Sequence, residues 1–208
     1  MKDWRIFVSD TFVKWFKQIG VLGWVRFRIL RIAYKIFWQE SPRNGEWDFV
    51  LSWLQPLRKW QNVSVVDVGC TESLLIYELI HRKYDTTGLD QRPYQEVRFF
   101  PFYIHDITKQ CMSAPFDYVV AISSIEHIGL GAYGDDAKKD GDRKAMKNLA
   151  AILKPHGQLI ITVPNAHLGT DTGRGYSYQA FKKLIKDLFF IIHYEERSNQ
   201  ICAVLGKI

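Results

Sequence analysis

The sequence predicts an α/β protein: a mostly parallel sheet flanked by helices, with one antiparallel strand in a C-terminal hairpin. Three observations carry that prediction. From residue 65 onward, short runs of apolar and β-branched residues alternate with stretches whose apolar positions recur at helical spacing, the pattern of a parallel sheet with crossover helices. The first such run, Val65-Val66-Asp67-Val68, stops at Gly69 and leads directly to a helix start. The last two runs, at 189–194 and 201–205, flank a polar Ser198-Asn199 turn, as the strands of a hairpin do.

Taken in order, the first forty residues differ from the rest. Residues 1–40 hold eight Lys and Arg against three Asp and Glu, and four of the seven Trp. The whole chain carries +6, so the body that follows is almost neutral. Over residues 21–38, Leu22, Val25, Ile29, Ile32 and Ile36 form one apolar stripe, with Arg28, Arg31 and Lys35 roughly opposite, as in a helix. Its basic and aromatic face fits three roles: the solvated side of a helix packed on the domain, an interfacial helix on an anionic membrane, or an arm for nucleic acid or a second copy. Glu40-Ser41-Pro42-Arg43-Asn44-Gly45 reads as a turn-rich break. It divides the chain into an arm, 1–44, and a domain, 45–208. A short helix is expected over 47–54.

The first strand is apolar on both faces and therefore buried. Thr71 or Ser73 can cap the helix beginning Leu74-Leu75-Ile76, and Gly69 lets a ligand approach the backbone beside the helix start. About twenty residues later Gly88-Leu89-Asp90 closes a second strand with an acid, where ribose hydroxyls would lie. Together these features point to an adenosine-containing ligand. A third strand over 99–104 ends at His105-Asp106, and a fourth at 118–122 follows Asp117. Residues 129–142 read as a flexible loop. Asp142 then caps a helix with Met146, Leu149, Ile152 and Leu153 on one face, ended by Lys154-Pro155-His156-Gly157. A fifth buried strand at 158–163 is halted by Pro164, and Ser177 caps a last helix with Phe181, Leu184, Ile185 and Leu188 inward.

Composition narrows the class. Hydrophobic content of 47% and charged content of 24% belong to a folded domain, not a disordered one. Cys70, Cys111 and Cys202 are scattered, with no CxxC pair and no His at ligand spacing, which argues for a reducing compartment and against a structural zinc site. No apolar run is long enough to span a bilayer, and the N-terminus lacks a signal-peptide core. The expectation is a cytoplasmic protein, any membrane contact being peripheral, on the inner face, through residues 1–40.

Five short motifs stand in order along the domain. Asp67-Val68-Gly69-Cys70 matches an acid-x-Gly-x-Gly turn, with Thr71 in place of the second glycine. Asp90 is the acid closing strand two, and Asp106 the Asp after strand three. Ser123-Ser124-Ile125-Glu126-His127-Ile128 follows strand four, and Leu153-Lys154-Pro155-His156-Gly157 leads into strand five. In this order they resemble the class I S-adenosylmethionine-dependent methyltransferases over residues 63–207. The phrase Ile125-Glu126-His127-Ile128-Gly129-Leu130-Gly131, with Tyr133-Gly134-Asp135 and Gly141-Asp142 after it, is similar to a subgroup linked to bacterial surface-polysaccharide or small-molecule biosynthesis.

The resemblance implies a Rossmann-like three-layer sandwich with a seven-stranded sheet and S-adenosyl-L-methionine as cofactor. It places cofactor contacts at Asp67, Gly69, Cys70, Ser73, Asp90, Gln91, Asp106, Ile107 and Ser123. Elementary chemistry agrees, because a dinucleotide site needs glycines throughout its turn for close approach to two phosphates. Cys70-Thr71-Glu72-Ser73 lacks them, and Glu72 would repel a phosphate.

Glu126 and His127 are the polar groups expected nearest the transferred methyl. Methyl transfer is an in-line displacement from a sulfonium, so catalysis is largely positioning. A hydroxyl acceptor must also lose its proton, and a histidine can take it. His127 is accordingly read either as general base or as a residue bonding backbone to hold its loop. The loops 129–142 and 164–176 are expected to form the acceptor pocket, with Tyr133, His167, Arg174 and Tyr176 as contacts. The expected reaction is methylation of a small molecule or glycan precursor at oxygen. No Asn/Asp-Pro-Pro-Tyr or Pro-Cys sequence is present, which disfavours nucleic-acid substrates. The alternatives are a non-catalytic binding or scaffold protein of the same fold and, less well matched to the glycine-poor turn, a nicotinamide oxidoreductase.

Overall fold

The computed structural model describes residues 42–58, 61–73, 75–93, 100–109, 115–131, 137, 140–169 and 173–208, without the side chains of residues 42–44 and 72. The expected helix at 21–38, the rest of the arm to residue 41, and Tyr133 lie outside these residues, as does half of the loop 129–142.

Seven strands form one sheet: β1 Ser64–Val68, β2 Asp85–Asp90, β3 Phe102–Ile104, β4 Phe116–Ile122, β5 Leu153–Pro164, β6 Phe189–Arg197 and β7 Gln200–Lys207. Their order is β3-β2-β1-β4-β5-β7-β6. β1 pairs in parallel with β2 and β4, and β4 with β5, whereas β7 runs antiparallel to both β5 and β6. Ser198 and Asn199, at φ 50° and 65°, make the hairpin turn that the sequence indicates. The mostly parallel, Rossmann-like sheet with one antiparallel strand is as expected.

Among the described residues four helices accompany it: α1 Pro42–Trp53, α2 Leu75–His81, α3 Gly141–Ala151 and α4 Tyr178–Ile185. Adjacent strand residues send their side chains to opposite faces, which builds two cores. Val66, Val119 and Ile161 pack with Met146, Leu149 and Phe181 of α3 and α4. Their neighbours Val65, Val120 and Ile160 pack with Phe49, Val50 and Leu79 of α1 and α2 on the other face. Ser177 caps α4 as expected, its Oγ accepting from the Ala180 N–H at 3.2 Å. Among the described residues, no helix is long and apolar enough to cross a membrane.

Three local expectations are corrected. The turn-rich break at 40–45 is helical from Pro42, because proline at a first helical position gives up no hydrogen bond and its φ is already helical. The inward positions Glu46, Phe49, Val50 and Leu54 then recur at helical spacing, each no more than 3% exposed. The third helix is preceded by Asp140, not capped by Asp142. The Lys154-Pro155-His156-Gly157 segment is part of β5, where the register against β4 shifts between Phe116 and Tyr118 and His156 takes φ 64°. The irregularity absorbs what reads as a turn.

Candidate cofactor cleft

The cleft lies beyond the C-terminal ends of β1, β2, β3 and β4, where open α/β sheets bind ligands. Its centre is the turn after β1. Gly69 adopts φ +79°, and a Cβ there would collide with Ser124 Oγ, so no other residue fits without rearrangement. The Gly69 N–H donates to Leu89 O at 2.8 Å, and residues Cys70–Glu72 form a 3-10 turn. Ser73 Oγ accepts from the Leu75 N–H at 3.1 Å, which is the cap expected at the start of α2.

Asp90 at the end of β2 faces the cleft and is only 5% exposed. Its Oδ2 accepts from the Thr71 N–H at 3.0 Å and its Oδ1 from the Arg92 N–H at 2.9 Å. Arg92 Nε stands 3.6 Å from Oδ1. Thr71, which replaces the second glycine, thus contributes its backbone to orienting the acid and does not line the cleft.

Asp67 is 2% exposed and reaches the cleft wall, and its Oδ2 has no hydrogen-bond partner. Burial, with the Asp90 charge as a smaller contribution, pushes its pKa up to about 8. A carboxyl group held in this state keeps its proton or is completed by a cation.

At the end of β4, Ser124 Oγ lies 2.8 Å from Ile122 O and 3.1 Å from Val68 O, joining the strand ends that frame the cleft. Ser123, at φ 41°, lines the cleft through a constrained backbone. Its hydroxyl donates to Glu46 Oε1 at 2.5 Å, as does Thr162 Oγ1 at 2.5 Å. Glu46 itself is 3% exposed. The following residue, Trp47, lines the cleft, so α1 contributes a wall that no local motif announces.

The 3-10 turn Ile125–His127 sets His127 into the cleft, with Nε2 3.8 Å from Glu126 Oε1. Glu126 is 1% exposed and stands behind the histidine, not in the cleft. The two side chains do converge, although neighbours in sequence need not.

Of the expected cofactor contacts, Asp67, Gly69, Ser73, Asp90, Gln91, Asp106, Ile107 and Ser123 all line the cleft. Cys70 does not. It is fully buried under the turn, 2.9 Å from where a Cβ on Gly88 would stand. Burial first, then the Asp67 and Asp90 charges, hold its thiol far above the ordinary range, so it is inert packing.

The expected acceptor contacts fare differently. His167 is exposed on the turn Ala166–Leu168 and away from the cleft. Arg174 is committed to backbone: Nη1 donates to Ile128 O at 2.8 Å and Glu126 O at 3.3 Å, and its own N–H donates to Glu126 O at 3.1 Å. Tyr176 is 5% exposed and its hydroxyl donates to Asp142 Oδ2 at 2.9 Å. Both belong to a latch joining the turn that carries His127, the start of α3 and the segment after β5. Trp47, Arg92, His105, Ser124 and Ile128 also line the cleft without having been singled out as site residues. Ser124 and Ile128 lie within the motif after strand four, and Arg92 and His105 sit close to motif residues, which is the signal that could have found them.

Solved structures share this fold. PH0226 from Pyrococcus horikoshii OT3 superposes with a TM-score of 0.62 at 16% identity over 80% of this chain and 90% of its own. The Burkholderia thailandensis 1,6-didemethyltoxoflavin-N1-methyltransferase, solved with 1,6-didemethyltoxoflavin and S-adenosylhomocysteine, gives 0.61 at 12% identity over 87% and 86%. A TehB-like SAM-dependent methyltransferase from Corynebacterium glutamicum gives 0.59 at 18% identity over 84% and 96%. At these identities the likeness shows the fold. No curated protein matches. One family model, described as Caenorhabditis protein of unknown function, DUF268, matches residues 90–204. That span runs from the cleft acid at the end of β2 to β7 and covers more than half of the chain, which therefore belongs to the DUF268 family.

Proposed function

We propose that the chain is an S-adenosylmethionine-dependent methyltransferase acting at oxygen on a small molecule or glycan precursor. The observation that carries this reading is Asp67, a buried carboxyl group with an unpartnered oxygen in the wall of a cleft whose floor is the Gly69 turn and whose next acid is Asp90. A cationic amino-acid arm attached to a ribose matches that pair. A pyrophosphate does not, since both acids would oppose it. When bound, S-adenosylmethionine supplies a methyl group already activated by its sulfonium.

The chain's own residues then have distinct tasks. Asp67 takes the ligand ammonium, and Asp90, oriented by the Thr71 and Arg92 N–H groups, accepts from the ribose hydroxyls. Gly69 allows close approach, and Ile107 supplies an apolar surface beside Asp106. His127 receives the proton of the acceptor hydroxyl at its imidazole, whose Nε2 stands 3.8 Å from Glu126 Oε1. Trp47 excludes water from the same side. The acceptor class rests on the resemblance of the 125–131 phrase; the contacts expected from Arg174 and Tyr176 do not support it.

The first test is thermal shift of the full chain with S-adenosylmethionine, S-adenosylhomocysteine and NAD. A shift with the adenosyl ligands is expected; a shift with NAD alone, or with none of them, would refute the assignment. Radiolabelled methyl incorporation across nucleotide-sugars and lipid-linked sugars then tests the acceptor. His127→Ala should lower turnover about 100-fold while leaving S-adenosylhomocysteine affinity within about threefold.

A further inference from the structure

β6 is the outermost strand of the sheet, bonded to β7 and, among the described residues, to nothing on its other side. Its face toward α1 is only half covered. His193 pairs with Val204 and Phe190 with Gly206, so both send their side chains to that face. The His193 ring stacks on Phe49 and Trp53 of α1, with centroids 6.0 and 5.9 Å away. Phe190 lies across Gly206, where a Cβ would collide with its ring, yet it is 55% exposed. Trp53 Nε1 donates to Oε1 of Gln158, which also pairs with Gly206, so Trp53 borders the same stretch. It is 37% exposed, and Ile192 of β6 is 40% exposed. An apolar strip along a sheet edge is a surface that folded proteins cover, commonly with a helix.

The path of the chain says which segment reaches it. α1 starts beside the hairpin end of β6, where Arg197 Nη1 donates to Gly45 O at 3.4 Å. One flank of α1 is occupied, because Arg82 at the end of α2 donates from Nη1 to Leu51 O at 2.7 Å and Leu54 O at 2.8 Å. The other flank faces β6. Only Gln39-Glu40-Ser41 separate Trp38 from Pro42, a connection of the length that folds two helices back antiparallel. Glu46 sets α1 over β5 through Thr162, and neighbouring helices pack roughly 8–10 Å apart. Two strand spacings of ~4.8 Å carry that axis from β5 to β6. A helix over 21–38 is about 27 Å long, against about 30 Å for the 9 residues of β6.

We propose that residues 21–38 form a helix that docks on the α1 face of the β6 edge, antiparallel to α1. Its apolar stripe, centred on Ile29 and Ile32, covers Phe190, Ile192 and Trp53. The basic positions opposite the stripe then face solvent, and α1, whose Trp47 lines the cleft, is held on both flanks. This contact is independent of what the cleft binds.

The test is hydrogen–deuterium exchange of the full chain, read by mass spectrometry on peptides covering 21–38. In the wild type these amides should exchange at least about tenfold more slowly than in an unfolded chain, protection that an undocked helix of this length does not supply. Phe190→Asp and Ile192→Asp, both at exposed positions, should bring them within about threefold of the unfolded rate while β1 and β4 peptides stay unchanged. If one variant fails to fold, the other carries the measurement. Unprotected amides in the wild type, or protection that survives either folded variant, overturns the contact. Protection that appears only as protein concentration rises also overturns it and assigns the face to a second copy. Protection that appears only with phosphatidylglycerol vesicles overturns it too, and assigns the stripe to a lipid surface.

Discussion

Replacing Asp67 by Asn should make the protein more stable and less able to bind its ligand. The sign follows from the carboxyl group's folded-state pKa, raised from 3.8 to about 8. Below pH 3.8 both folded and unfolded forms hold the proton, and no penalty exists. Between that value and about pH 8 the unfolded chain ionises while the folded chain keeps its proton, so stability falls as pH rises through the window. Above it the penalty is full. At about 1.4 kcal/mol per tenfold the ceiling is ~6 kcal/mol, and relaxation around a buried charge reduces that to a few kcal/mol.

Asn has the same shape and no charge. At pH 8.5 its melting temperature should therefore rise by ~5–10 °C for a domain of this size, with little change at pH 4. Ligand binding should move the other way. S-adenosylmethionine affinity should drop at least about tenfold, the loss of a buried charge-assisted contact. Methylthioadenosine, which lacks the amino-acid arm, should bind both proteins within about threefold. In the wild type near pH 7, the ligand ammonium draws the carboxyl into its ionised form, so binding releases a proton. Titration heats should then vary with the buffer's ionisation enthalpy. An Asn variant that melts lower at pH 8.5, or that keeps its S-adenosylmethionine affinity, would refute the reasoning.

Three further outcomes are expected. Gly69→Ala, forced to hold φ +79° against Ser124 Oγ, should weaken S-adenosylhomocysteine binding at least about tenfold and destabilise by ~1–2 kcal/mol, read by titration and urea unfolding. Glu46→Ala strands the Ser123 and Thr162 hydroxyls beside a buried gap and should destabilise by about 2–4 kcal/mol; ligand-induced quenching of tryptophan fluorescence should weaken with it as Trp47 loses its anchor. Arg174→Ala should lower the urea midpoint by the equivalent of ~1–3 kcal/mol with no acceptor present, because the guanidinium holds the Glu126 and Ile128 carbonyls. An unchanged midpoint would return Arg174 to the acceptor site.

Elements set by short-range pattern were legible in the sequence. Val65-Val66, Val119-Val120 and Ile160-Ile161 announce strands buried on both faces, and Asp67, Gly69 and Asp90 sit where a strand-turn-helix unit must place them. Even Ser73 and Ser177 were readable as caps, since capping depends on residues two or three positions away. What escaped was long-range. Trp47 enters the cleft because Glu46 bonds hydroxyls 77 and 116 positions away, and no window of sequence contains both partners. Arg174 reads as an acceptor contact because it stands in a loop at the carboxyl end of strand five. Its carbonyl partners lie 46 and 48 positions away and carry no side-chain signal at all. Tyr176 and Cys70 erred in the same direction, as residue types that can do chemistry but that the packing has buried.

The electrostatics of the cleft also bear on the choice of ligand. The chain carries +6 overall, yet Glu46, Asp67, Asp90 and Glu126, each no more than 5% exposed, gather at or behind this one cleft. Among the described residues that line the cleft, Arg92 alone brings a permanent positive charge, 3.6 Å from Asp90. Burying a carboxylate beside another is unfavourable, and the rise of the Asp67 pKa, from burial first and the Asp90 charge second, expresses that. A ligand carrying an ammonium and a sulfonium relieves it, and one carrying phosphates aggravates it. The acids therefore discriminate between the two nucleotide-like ligands that a Gly turn and a ribose acid would otherwise admit equally. They do so by the sign of the ligand's charge, a property that the glycine count of the turn reflects only indirectly.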